Sequence, residues 1–281
     1  MDLKMSDIHP NAFIEKGATI GKNVKIEAFV TIKKNVIIED NVVIKSNAYI
    51  DGYTTLKQNV IVWPGACIGT KPQDLKYKGE RSFVEIGENT EIREFVTINS
   101  SCQKDSTVKI GKNCLIMAYC HIAHDCNIGN YVIMANSSMC AGHVSIYDYV
   151  VIGGMTPIHQ FSRIGEHAMV GGFSGVSHDI PPYTIGRGLP YRLGGLNIIG
   201  LKRRGFSLEV RNELAKAFKF TFRMGLRLDQ ALSKIQSELK PLDQIVRWVE
   251  FCKNSKRGII DLQGITKTSK KQNPLESCVV R

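Results

Sequence analysis

The stretch I-G-K-N-V-K-I-E-A-F-V-T-I-K-K-N-V-I-I-E-D-N-V-V-I-K-S-N-A-Y-I, Ile20 to Ile50, returns an isoleucine at every sixth position. Stepping outward by six extends the series back to Ile8 and Ile14 and on to Leu56, Val62 and Ile68. The phase returns at Ile86, Ile92 and Ile98. It then runs unbroken from Ile110 through Ile116, Ile122, Ile128, Met134, Cys140, Ile146, Ile152, Ile158 and Ile164 to Val170 and Val176. Four residues after most of these sits a small or β-branched residue, as at Ala18, Val24, Val30, Val36, Val42, Ala48, Val132, Ser138, Val144 and Val150. A period of six matches neither the roughly 3.6 of a helix nor the about 2 of a two-faced strand. It is the mark of a parallel β-helix, in which each hexad is one flat side and a turn. The aliphatic residue and the small one after it both point inward and stack on their counterparts in neighbouring coils.

The phase breaks at G-T-K-P-Q-D-L-K-Y-K-G-E-R-S (69–82) and S-S-C-Q-K-D-S (100–106). Both read as loops ejected from the coil, and ejected loops often carry function. The β-helix is expected over 1–185. After D-I-P-P-Y (179–183) helical spacing takes over, giving an α-helical domain over 190–260. Ser207 is its N-cap, with Glu209 in the first turn. Leu214, Phe218, Phe222, Leu228, Leu232 and Ile235 form apolar faces, and Pro241 opens a last helix containing Ile245, Val246, Trp248 and Val249. The Lys-, Thr- and Ser-rich segment 264–281 has the composition of a disordered tail.

Bulk composition bounds the rest. A chain of 281 residues with 43% hydrophobic content can bury a large core. No apolar run reaches the about 18 residues of a membrane span, and the N-terminus lacks the apolar core of a signal peptide. A cytoplasmic protein without an integral membrane segment is expected. Eight cysteines in a domain of this length do not suggest a disulfide framework. The net charge of +11 would suit nucleic acid, an anionic membrane face or an acidic partner, and its sign does not choose among them.

The hexads resemble those of hexapeptide-repeat proteins, which implies a three-sided, left-handed coil. Residues 18 apart then lie one above another, separated by roughly 4.8 Å. In the unbroken stretch His124 lies under Gly142 and Gly142 under Gln160, while Asp125 lies under His143. His121 and His159 fall just before the first column, so these groups share one corner over three coils; His167 lies on another side. Cys114, Cys120 and Cys126 take the inward small-residue slot and Cys140 the aliphatic slot, where a thiol behaves as a small hydrophobe. A zinc site shared among these cysteines is not expected, because consecutive hexads lie on different sides. A site made of histidines, converging between subunits, stays open as an alternative.

More specific motifs are Q-D-L-K-Y (73–77), H-I-A-H-D-C (121–126), A-G-H-V (141–144) and I-G-G-M-T (152–156). With them go H-Q-F (159–161), M-V-G-G (169–172), D-I-P-P-Y (179–183) and G-L-K-R-R-G-F-S (200–207). Together they resemble the UDP-N-acetylglucosamine acyltransferases that begin lipid A synthesis, over about residues 8–260. The resemblance implies a homotrimer with active sites between subunits. It also implies acyl transfer from acyl carrier protein to the 3-hydroxyl of UDP-N-acetylglucosamine, with no metal or cofactor and no nucleic acid partner. It assigns His124 as general base, Asp125 as the residue orienting it, and Gly142 as the backbone N–H facing the oxyanion. The columns put Asp125 nearer His143, so an indirect link to His124 is the alternative to a direct one. Asp74, Lys76, His121, His143, His159, Gln160, Asn197, Arg203 and Arg204 would bind the sugar nucleotide. On residues alone the alternative stays open that Asp74 and Lys76 only form a solvated loop and that Lys202–Arg204 only start an amphipathic helix.

The resemblance makes Gly172 the acyl-chain ruler. Glycine adds no side chain to the groove, so a chain of about fourteen carbons is expected over one of about ten. Pro190 and Ile199 depart from the pattern, which often has histidine and glutamate there. Three rivals compete. A zinc enzyme resembling the γ-type carbonic anhydrases would need stoichiometric metal. The related glucosamine N-acyltransferase carries an extra N-terminal domain, whereas this chain enters the repeat by Ile8. A repeat scaffold without activity would leave the corner cluster unexplained.

Overall fold

The computed structural model describes residues 6–264, 266 and 267. Short strands, most of two residues, are stacked in register into three sheets of eleven, eight and eight strands, parallel throughout the coil, forming a left-handed β-helix. The first sheet includes Lys25–Ile26 and Leu115–Ile116, the second Phe13–Ile14 and His121–Ile122, and the third Thr19–Ile20 and Arg163–Ile164. One coil is 18 residues, as Ile26 opposite Ile44 and Ile110 opposite Ile128 show. Across the first loop the step widens to 30, Ile68 facing Ile98, and across the second to 24, Ile98 facing Ile122. The insertions are thus twelve and six residues beyond a coil of 18, whole numbers of hexads. That is why the phase returns unshifted after each loop.

The aliphatic column is sealed: Ile26 through Ile164 are at most 2% exposed wherever the hexad phase holds. The corners explain the rest of the pattern. The third residue after most of these aliphatics takes a left-handed backbone, with φ near +60° at Asn23, Asn35, Asn41, Asn47, Asn59, Asn89 and Asn113. Asparagine is among the few side chains that tolerate this conformation. Along one corner the asparagines also pair, Asn23 Nδ2 donating to Asn41 Oδ1 at 3.2 Å and Asn59 Nδ2 to Asn89 Oδ1 at 3.0 Å. Higher up, that corner carries stacked rings instead, Tyr131 on Tyr149 at 4.7 Å and Tyr149 on His167 at 4.7 Å.

The segment after the coil does not open on a helix. Thr184–Arg187 continues the first sheet in parallel, and Arg192–Leu196 turns back antiparallel to it. Four helices follow: α1 (Ile198–Arg203), α2 (Leu208–Phe222), α3 (Leu228–Glu238) and α4 (Asp243–Lys253). Ser207 caps α2 by accepting from Val210 N–H at 3.2 Å. Leu214, Phe218, Leu232, Ile235, Ile245 and Trp248 pack together, whereas Val246, read as part of the same face, is 43% exposed. Thr266–Lys267 pairs with Ile259–Ile260, and the rest of the expected tail after 264, residues 265 and 268–281, lies outside the described residues. No helix among the described residues is long and apolar enough to cross a membrane.

A buried ion pair fastens the helices to the coil. Asp179, 1% exposed, accepts from Arg163 Nε at 2.9 Å, Arg163 N–H at 2.8 Å and Ser255 Oγ at 2.8 Å. Arg163 also donates to the Phe251 carbonyl at 2.8 Å and lies over the Phe251 ring at 4.4 Å. Removing one member of such a pair strands the other in a dry site. Asp179→Ala should therefore destabilise the protein by about 3–5 kcal/mol, read as an earlier urea midpoint.

Candidate active site

His124, Asp125, Gly142 and His143 meet at the corner that follows the second sheet. Asp125 and His143 hold the left-handed turn position, with φ of 58° and 61°. At such a turn successive side chains fold toward each other, and His124 Nδ1 lies 2.8 Å from Asp125 Oδ2. The pairing is direct. His143 is the more distant partner, its Nε2 being 3.7 Å from the same oxygen. An ionised carboxylate only accepts, so Nδ1 of His124 carries the proton and Nε2 keeps its lone pair. The His124 and His143 rings meet edge to face at 5.2 Å, and His143 stacks on Phe161 at 4.5 Å.

Gly142 is a steric necessity. A Cβ there would fall inside contact distance of His124 Cε1 and only 2.6 Å from Nε2. Any other residue would displace the ring. The Gly142 N–H finds no acceptor among the described residues and remains available beside that ring.

The second loop fixes Asp125. Ser101 Oγ donates to Oδ1, Ser106 Oγ lies 3.4 Å from the same oxygen, and the Cys102 N–H reaches Oδ2 at 3.4 Å. Burial would raise this carboxyl, but Ser101, His124, His143 and the Cys102 N–H together hold it below the ordinary carboxylate range. Ser101, Cys102, Ser106 and Phe161 were not singled out from sequence. Ser101 stands 24 residues before Asp125, the coil step across the second loop, so column counting carried through that loop finds it.

The first loop brings in Asp74, whose Oδ2 is 3.9 Å from His124 Nε2. Asn99 pins the base of that loop, donating to Thr70 Oγ1 at 3.0 Å and the Lys71 carbonyl at 3.2 Å. Asp74 in turn accepts from Lys76 N–H at 2.9 Å, while the side chains of Lys76 and Leu75 stand in solvent. His121 lies on the flat face before the corner, 2.7 Å from Thr97 Oγ1. Burial, with help from His124, lowers its basicity. His159 and Gln160 are exposed one coil above Gly142, His159 Nδ1 being 3.1 Å from the Gln160 carbonyl.

The other candidates are elsewhere in the chain. Asn197 caps α1 through Gly200 N–H at 3.1 Å and donates to the His167 carbonyl at 3.0 Å. Arg204 lies over Tyr149 at 4.4 Å, on the corner after the third sheet, and Arg203 is exposed beside it. Burial pushes His167, in that same ring stack, down to about 4. Gly172 belongs to the remaining corner, after the first sheet, where Met155 and Phe173 are 55% and 72% exposed. A Cβ on Gly172 would meet main chain of the coil below, the Gly154 carbonyl oxygen at 3.2 Å, the Gly154 nitrogen at 3.6 Å and the Gly153 carbonyl carbon at 3.9 Å. The candidate residues thus occupy three different corners of one coil.

The cysteines within Cys114–Cys140 are core. Cys114, Cys120, Cys126 and Cys140 are at most 2% exposed, and all seven described cysteines are free. Burial pushes Cys120 up to about 11 and Cys126 up to about 12. Such thiols are inert. Cys102 differs in being partly accessible at the cleft, though burial followed by Asp125 and Asp74 pushes it up to about 11 too.

Residues 107–142 match the model of the bacterial transferase hexapeptide, six repeats, and residues 179–260 that of UDP-N-acetylglucosamine O-acyltransferase domain 2. The chain is 54% identical over 256 residues to the acyl-[acyl-carrier-protein]–UDP-N-acetylglucosamine O-acyltransferase of Chlamydia abortus, covering 91% of this chain and 92% of that one. The crystal structure of the Bacteroides fragilis UDP-N-acetylglucosamine acyltransferase superimposes with a TM-score of 0.88 at 43% identity, over 90% of this chain and 99% of that one. For the Campylobacter jejuni enzyme the TM-score is 0.84 at 42% identity, over 90% and 98%. At this identity and coverage, the chain belongs to the UDP-N-acetylglucosamine O-acyltransferase family of hexapeptide-repeat enzymes.

Proposed function

We propose that the protein moves a long acyl chain, about fourteen carbons, from acyl carrier protein to the 3-hydroxyl of UDP-N-acetylglucosamine, the opening step of lipid A synthesis; the missing side chain at Gly172 is what leaves room for that length. The observation that carries this reading is His124, with Nδ1 2.8 Å from Asp125 and Nε2 free beneath Gly142. Nε2 takes the proton as the sugar hydroxyl attacks the thioester carbonyl. Asp125 stays ionised and steadies the imidazolium, and the Gly142 N–H meets the developing oxyanion. Collapse breaks the C–S bond, and His124 returns its proton to the departing thiolate. Nothing in these steps calls on a metal or cofactor. Asp74, Lys76, His121, His143, His159 and Gln160 are placed around the acceptor sugar in this scheme.

Asn197, Arg203, Arg204 and Gly172 lie on other corners, and a single chain cannot bring them to His124. A homotrimer packed about a threefold axis would supply them from a neighbouring copy. The exposed rings Phe29, Phe95, Tyr119 and Phe173 lie along one corner and suit such packing. Arginine forks are suited to the nucleotide phosphates. The net charge of +11 favours encounter with an acidic carrier protein, which would put the enzyme in the cytoplasm with its donor.

Mass spectrometry of products from UDP-N-acetylglucosamine and a panel of carrier-protein thioesters tests the reaction. His124→Ala should lose about 100- to 10,000-fold in turnover while sedimenting as the wild-type trimer does; near-normal turnover would remove the base. Ser101→Ala, which strips a hydrogen bond from a charged group, should lower kcat by about tenfold with KM little changed. Gly172→Met should shift the preferred acyl chain shorter in a competition between thioesters, and unchanged selectivity would retire the ruler.

A further inference from the structure

We propose that the cleft also holds a site for a soft divalent cation, zinc foremost, formed by Asp74, Cys102 and His124, and that a cation bound there switches the enzyme off. The inference rests on the reading of His124 as the base. One donor atom from each residue lies within 4.8 Å of the other two. Asp74 Oδ2 is 3.9 Å from His124 Nε2. Tetrahedral zinc, with bonds of about 2.0–2.3 Å, wants its ligands roughly 3.3–3.8 Å apart. The three groups therefore need to close by at most about 1.5 Å. Two of them sit on ejected loops, which give more easily than the coil does.

Sulfur, imidazole nitrogen and carboxylate oxygen are the ligand set zinc accepts, and magnesium does not favour it. The orientation of His124 strengthens the case. A zinc-bound imidazole typically donates its other N–H to a carboxylate, and His124 already does so to Asp125 at 2.8 Å. The hydrogen bond that turns Nε2 toward the acceptor hydroxyl also turns it toward a cation. A second grouping, His124 with Asp125 and His143, is the poorer candidate. Its carboxylate is already engaged by Ser101, Ser106, the Cys102 N–H and His124.

Binding breaks the Cys102 S–H bond, forms a metal–sulfur bond and releases the proton to solvent. It occupies the lone pair of His124 and takes Asp74 away from the sugar nucleotide. Zinc and UDP-N-acetylglucosamine should therefore compete.

The test uses full-length protein stripped with a chelator. Cobalt chloride should give a thiolate-to-cobalt charge-transfer absorption in the wild type, lost in Cys102→Ala and in Cys102→Ser. Zinc chloride should inhibit acyl transfer reversibly, magnesium chloride should not, and raising UDP-N-acetylglucosamine should relieve the inhibition. Each Cys102 variant, measured against its own zinc-free turnover, should need at least about tenfold more zinc for half-inhibition. A cobalt complex without the thiolate band, or variants as zinc-sensitive as the wild type, would overturn the site and leave the base mechanism standing. Stripped enzyme that is inactive until zinc is added would overturn both.

Discussion

One residue in every six of this coil must adopt a left-handed backbone, and the rest of the molecule is arranged around that demand. Each such residue other than glycine costs roughly 1–2 kcal/mol, least for asparagine and aspartate. Burial of the aliphatic three positions earlier offsets it, at about 25 cal/mol per Å² of apolar surface. Where only the turn matters, asparagine fills the position, as at Asn23, Asn41 and Asn59. Where chemistry is wanted, Asp125 and His143 fill it, at φ of 58° and 61°. The corners are the places where side chains project outward yet stay in fixed registry with the coil above. A site built there inherits the rigidity of the core.

Most of this was legible because the hexad phase reports both burial and column. Cys120 and Cys126 could be placed inside from spacing alone, and Gly142 over His124 once the resemblance supplied three hexads to a coil. The link between His124 and Asp125 was harder. Column counting sets Asp125 beneath His143 and treats sequence neighbours as divergent, which holds on a flat strand. At a left-handed corner neighbouring side chains converge, so the shorter contact is the local one, 2.8 Å against 3.7 Å. Ser101 escaped for a different reason. It lies within the second loop, where the hexad phase is interrupted, and its place beneath Asp125 follows from the 24-residue step of the strand pairing across that loop.

Asn197 shows the limit of carrying a role over by motif. In the isolated chain its amide is already engaged, accepting from Gly200 N–H and donating to the His167 carbonyl. It holds the start of α1 and with it Arg203 and Arg204. Its influence on a nucleotide would then be exerted at least partly through where it sets those arginines. Spacing cannot distinguish that from direct contact, because both require the same residue at the same place.

The seven residues from Cys120 to Cys126 gather the argument at its smallest scale. They hold two thiols, two imidazoles and a carboxylate, a set that by composition alone suggests a metal knot. The coil separates them. Cys120 and Cys126 turn inward, where each thiol donates to a main-chain carbonyl of the next coil at 3.2 Å and burial keeps it protonated. His121, His124 and Asp125 turn outward, and only the last two make a base with its support. The thiol that does reach His124 comes from the second loop, as Cys102, a residue that the local motif does not contain. Reactivity here follows hexad position and coil register, and residue type decides only what is done with the position.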